Sequence, residues 1–287
     1  MRYCLILIFL SGIYTCNSQD ILAKADSLME SGDFGQAGLY YEWAMYSESG
    51  TDVYFSAING RIRSLKKQGH YFRAADFIDR LPKAALPDSV SLPIIYESLL
   101  LNYLDGNYEE VRSRYLLSGQ YLSGSAYKTG ADLLVCLSNL MTGNYDNVLT
   151  SAEEYIKQVA PSDHTDSLLV EFKTIFDINE IPKPRNPRTA RILSMIIPGS
   201  GQAYAGYPGD GFISFGLHAL ALGGAGLAFV HGFYVTGWIG GLGLLQKLYF
   251  GGNQRAAHLA EEKNRLNREK FVQPAIAFLI SLSEKYK

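Results

Sequence analysis

Histidines at positions 70, 164, 218, 231 and 258 are the side chains best suited to acid–base or metal chemistry near neutral pH. Their spacing gives no HExxH pair and no Cys/His cluster accompanies them, so neither a zinc hydrolase nor a structural zinc site is implied. The string Gly199-Ser200-Gly201 lacks the GxSxG frame of a nucleophile elbow, and no glycine-rich phosphate loop with its lysine occurs. The residues therefore point to no enzyme, no metal and no cofactor. What remains is recognition chemistry. Asn59, Arg63 and Lys66 recur at helical spacing, and 37 residues further on stand Tyr96, Leu100 and Tyr103. A donor trio beside an aromatic strip can hold an extended peptide or a carboxylate, although an ordinary solvated helix face has the same composition. His218 and His231 lie in or beside a long apolar stretch, where an ionisable group either marks function or is a neutral ring bonded to a facing helix.

The elements that position these groups follow from a repeat. Gly32, Gly69, Gly106 and Gly143 are 37 residues apart in each interval, and Phe34, Tyr71, Tyr108 and Tyr145 follow two places later. Other columns keep the register. Ala37, Ala74, Val111 and Val148 lie five past the glycine, Tyr41, Ile78, Tyr115 and Ala152 nine past it, and Ala25, Ile62, Leu99 and Cys136 seven before it. Each glycine reads as a turn and each aromatic as the start of a helix with one buried face.

This pattern resembles the second half of a tetratricopeptide (TPR) repeat, with Gly32, Phe34, Ala37, Tyr41 and Ala44 matching closely, although 37 residues exceeds the usual period of that family. The resemblance implies stacked helical hairpins over about residues 20–160, with Asp166–Ile178 as a capping helix. It also implies that the first helices line a concave groove, so that Asn59, Arg63, Lys66, Tyr96, Leu100 and Tyr103 would take a protein or peptide partner.

Net charge is −2 and charged residues make up 19%, below the usual ~25%, which excludes a broad basic face for nucleic acid. Cys4, Cys16 and Cys136 cannot form a disulfide framework. Arg2, the apolar run Leu5–Leu10 and the small residues Cys16 and Ser18 form a bacterial-type export signal over residues 1–18, with lipidation at Cys16 as a poorer alternative.

Three prolines in Ile181–Arg188 interrupt helical structure and predict a linker over residues 181–190. Residues 211–246 then carry no charge, which predicts a transmembrane helical hairpin of Phe212–Val230 and Tyr234–Phe250. Small pairs Ala219/Gly223, Gly224/Ala228 and Gly237/Gly241 would let its two backbones approach. Ahead of it, Pro198, Gly199, Gly201, Gln202, Tyr204 and Gly206 match the PGxGQxYxG signature of an uncharacterised membrane domain of bacterial envelope proteins, and Asn253, Ala256, Ala257 and Asn264 are similar to its closing helix. That resemblance covers residues 188–270 and implies no chemistry; the motif reads as a structural turn, with a ligand or lipid head-group site as the alternative.

The sequence thus predicts an all-α chain: signal 1–18, TPR-like solenoid 19–180, linker 181–190 and a glycine-rich membrane domain 191–287. Its expected work is to hold a protein partner at the bacterial cell envelope, attached to the lipid bilayer with periplasmic repeats. The alternative is a transport or pore component that forms homo-oligomers through the hairpin.

Overall fold

The computed structural model describes residues 18–47, 50–82 and 86–286. Residues 1–17 of the expected export signal, Cys16 included, lie outside them. Among the described residues the chain is all-helical, with no strand. It divides into two compact units, Met1–Val159 and Ala160–Lys287.

The first unit runs α1 (Ser18–Glu30), α2 (Phe34–Tyr46), α3 (Thr51–Lys67), α4 (Tyr71–Asp79), α5 (Asp88–Leu104), α6 (Tyr108–Ser118), α7 (Lys128–Thr142) and α8 (Val148–Val159), each packed on the next. The four column glycines close α1, α3, α5 and α7. Their φ values are +84°, +72°, +81° and +77°, the left-handed region that side chains with a Cβ rarely adopt. At each turn the glycine N–H bonds the carbonyl three residues back, and the next N–H reaches five back. In the first, Gly32 bonds Met29 at 3.2 Å and Asp33 bonds Leu28 at 3.0 Å. This is the Schellman arrangement, which satisfies carbonyls that a helix end leaves unpaired.

Asp33, His70, Asn107 and Asn144 then share φ near −85° and ψ near 60°, so the chain enters the second helix of each pair along one path. The columns five past and seven before the glycines are buried throughout, whereas Phe34, Tyr71, Tyr108 and Tyr145 are half-buried and flank the core. The core itself divides at α5. Ile94 and Leu101 belong to the cluster of α1–α4, while Leu99 joins Val111, Leu122, Ala131 and Leu134.

The second unit begins before the proline-rich stretch. Its first helix, α9 (Thr165–Ile175), is the segment expected to cap the repeats, yet it packs against the far end of the last helix. Phe172 and Phe176, both 1% exposed, meet Phe278 and Phe271 at ring distances of 6.0 and 5.4 Å. There follow α10 (Pro187–Ile196), α11 (Ser200–Tyr204), α12 (Pro208–Val230), α13 (Tyr234–Thr236), a π-helical turn at Gly237–Leu242 and the 43-residue α14 (Gly243–Lys285). The segment after the Gly232 turn therefore does not stop near Phe250 but continues to Lys285.

The same glycine turn recurs twice here. Gly206 and Gly232 have φ of +90° and +78°, with the paired hydrogen bonds to Ala203 and Gln202 and to Phe229 and Ala228. At the contact between α12 and the π-helical turn, a Cβ on Gly241 would lie 2.4 Å from that of Ala225. Gly237/Gly241 is thus the small pair that brings the two arms together. Gly223 and Gly224 instead face open space and Ala219 is exposed, so those pairs do not serve that contact.

Candidate functional site

Each residue of the PGxGQxYxG string has a physical task in the second unit. Ile197 is extended, φ −127° and ψ 111°, as a residue before proline prefers, so α10 ends and Pro198-Gly199 turns the chain into α11. Gly199 has φ +92°, and a Cβ there would sit 2.1 Å from the Gly211 carbonyl oxygen. A Cβ on Gly201 would sit 1.8 Å from the Ala190 carbonyl oxygen. Both glycines therefore let backbone touch backbone, at the start of α12 and on α10.

Gln202, 1% exposed, accepts from Ser194 Oγ at 2.8 Å and donates to the Gly252 carbonyl at 3.3 Å. It ties α10 and α11 to α14. The Tyr204 hydroxyl accepts from the Asn186 N–H at 3.2 Å, and its carbonyl accepts from Arg185 Nη1 at 2.7 Å. Gly206 leaves room for that guanidinium, since a Cβ would lie 2.3 Å from Nη1. Asn264 completes the knot, accepting from the Arg185 N–H and donating to the Arg185 carbonyl, both at 2.7 Å. Ala190, Ala205, Ala256 and Ala260 are fully buried between these helices and set their close approach.

Beside the knot a cleft of about 640 Å³ opens between α12 and α14. Gln202, Asp210, Ser214 and His218 line one side, and Lys247, Gly252, Arg255 and His258 the other. Asp210 pairs with Arg255 at 2.9 Å. His218 lies 2.7 Å, through Nδ1, from the Ser214 carbonyl of its own helix, so Nδ1 carries the proton there. It does not bond the facing helix. Its Nε2 is shut from water with no partner, as is Asn253 Nδ2. Buried polar atoms without a partner are uncommon.

In the first unit the six expected groove residues are only partly brought together. Asn59 is exposed. Arg63 Nη2 lies 4.0 Å from Asp26, and Lys66 pairs with Glu97 at 2.5 Å, so both cations already have a carboxylate within the unit. Tyr96, Leu100 and Tyr103 are half-buried against the α5–α7 core, with the Tyr96 ring tilted against that of Tyr127 at 5.7 Å. Burial raises the phenol pKa of Tyr96 and Tyr103 above the usual range.

Sequence reasoning missed a buried carboxylate. Asp132, 3% exposed, accepts from the Tyr115 hydroxyl, from Lys128 Nζ, and from Gln158 Nε2 at 2.5 Å. Three helices meet on it, and with its partners saturated it acts as a clasp between α6, α7 and α8. A lone buried acid in the first turns of α7 has no signature in spacing; only its partners reveal it. Among the described residues no group of three or more His, Cys, Asp and Glu could hold a metal ion.

No family model, no curated protein and no solved structure matches the chain. Function has to be read from this geometry.

Proposed function

We propose that this protein is an exported, membrane-attached scaffold. A TPR-like helical array would hold a protein partner at the bacterial cell envelope, and the hairpin of α12 and the following arm would sit in the lipid bilayer. The observation that carries the membrane part is the exposed apolar belt on the hairpin. The helix α12 has 23 residues and is long and apolar enough to cross a membrane, about 34 Å at 1.5 Å per residue. Phe212, Leu220, Val230, Val235, Trp238 and Ile239 around it are all more than six-tenths exposed. Water would not tolerate so continuous an apolar surface on a solitary soluble chain, whereas hydrocarbon would. The repeated Schellman turns at a fixed 37-residue period support the TPR-like reading of the first unit.

A photocrosslinking residue at Asn59, used in cells, tests the scaffold reading. It should capture a defined protein, and Arg63→Glu should reduce capture at least several-fold while helicity is kept. Capture no stronger than from the exposed Leu116 position would retire the groove. Reporter fusions after residues 180 and 287 test the topology: both should report the periplasm.

A second reading, a pore or transport component, is favoured by one observation. Gly223 and Gly224 face open space on α12, where a second copy could approach closely. Gly223→Leu with Gly224→Leu would then abolish self-association in detergent while the hairpin, held by Gly241 and Ala225, stays folded.

A further inference from the structure

We infer that the cleft between α12 and α14 is a binding site for the phosphate head group of an anionic membrane lipid. The inference rests on the reading of the hairpin as membrane-inserted. Lys247, Gly251, Arg255 and His258 fall on one face of α14 and all line the cleft. A Cβ on Gly252, on the cleft floor, would make ordinary contacts of 3.5, 3.7 and 3.9 Å with Ser214, His218 and Gln202, so the floor is bare backbone with polar walls. Two permanent cations, Lys247 and Arg255, face one carboxylate, Asp210, which Arg255 already engages at 2.9 Å, and the His258 imidazole stands beside them. The balance is cationic, and Lys247 has no carboxylate partner among the ion pairs of the described residues.

Position decides between a lipid and a soluble phosphate. The cleft lies where the uncharged stretch of α12 begins, and Ile213 and Leu217 on its rim are 65% and 46% exposed. A head group there would leave its acyl chains along an apolar wall, and basic residues next to hydrocarbon are what anionic lipids select. His218 Nε2, buried on the same wall, has no hydrogen-bond partner among the described residues.

The full-length protein in dodecyl maltoside micelles provides the test, with thermal unfolding followed by circular dichroism. Dioctanoyl phosphatidylglycerol should raise the melting temperature saturably, with a midpoint at least about fivefold lower than that of dioctanoyl phosphatidylcholine. Lys247→Gln should weaken the phosphatidylglycerol response about fivefold, the factor matching ~1 kcal/mol for one basic group at a lipid surface. His258→Gln, at an exposed position, should weaken it in the same direction. An unchanged response in both variants overturns the site, and equal stabilisation by inorganic phosphate overturns the lipid as its ligand. Flotation with vesicles after a carbonate wash separates this from the parent reading. Retention without head-group preference overturns the site alone, and release from the vesicles overturns membrane insertion with it.

Discussion

Asn264 grips the backbone of Arg185 across 79 residues of sequence, its amide accepting from the N–H and donating to the C=O at 2.7 Å each. The pair fixes the approach to α10 on the long helix α14. Asn264→Leu removes both bonds and should lower stability by about 2 kcal/mol, taking roughly 1 kcal/mol for each. Asn264→Asp keeps the acceptor but turns a carboxylate oxygen toward the Arg185 carbonyl, so it should do no better. Melting of the full-length variants in detergent checks both; a Leu variant that melts with the parent would sink this assignment.

Gly199→Ala should be among the most damaging single changes in the second unit. It combines a left-handed φ with a contact of 2.1 Å to a backbone oxygen, which cannot be relieved by a side-chain rotation. The expected cost is on the order of 3 kcal/mol. Gly216→Ala, on an α12 position with nothing within 4 Å, should be neutral or slightly stabilising through helix propensity. Equal melting of the two variants would contradict the close backbone approach.

Gly106 separates conformation from crowding, because its φ is +81° but nothing lies within 4 Å of a Cβ placed there. All the cost of substitution is backbone strain. Gly106→Val should therefore cost about 1–3 kcal/mol, and Gly106→Asn distinctly less, since asparagine tolerates the left-handed region. Urea unfolding of the two variants would reveal the order; Asn as harmful as Val would mean that space, not φ, selects glycine.

Cys136 is a buried thiol, and burial pushes its pKa up to about 12. The nucleophilic thiolate is thus suppressed at every pH below that, in addition to being inaccessible. With Cys4 and Cys16 replaced by serine, native protein at pH 8 should react with maleimide at least a hundredfold more slowly than urea-unfolded protein. Labelling at the rate of an open thiol would place Cys136 outside the core.

What the sequence made legible were features that one stretch of chain decides alone. The glycine column could be read because a Schellman turn is local, and the knot residues Gly199, Gly201 and Gln202 because they stand in one short string. Their partners could not be read in that way. Lys66 with Glu97, Gln158 with Asp132, and Arg255 with Asp210 join residues 26 to 45 positions apart, and periodicity reports a buried face without naming what covers it. The helix α9 shows the same limit: its amphipathic pattern predicted a packed helix without naming Phe271 and Phe278 of α14 as the rings that Phe172 and Phe176 meet. The cleft was hidden because Lys247, Arg255 and His258 follow the uncharged stretch in sequence, and only the fold sets them against Asp210 and Ser214 of α12.

The helix that begins at Gly243 has a mechanical consequence. Its 43 residues make a rod of about 64 Å, with the hairpin contact near one end and the Phe271 and Phe278 ring contacts near the other. From the hairpin contact to Phe271 no proline interrupts the helix, so that part acts as a lever about the alanine-lined crossing with α10, whereas Pro274 removes a backbone hydrogen bond before Phe278 and lets the end bend. A tilt of about 5° at the hairpin would move Phe271, roughly 20 Å beyond that crossing, by about 2 Å, and would carry its contact with Phe176 of α9 along.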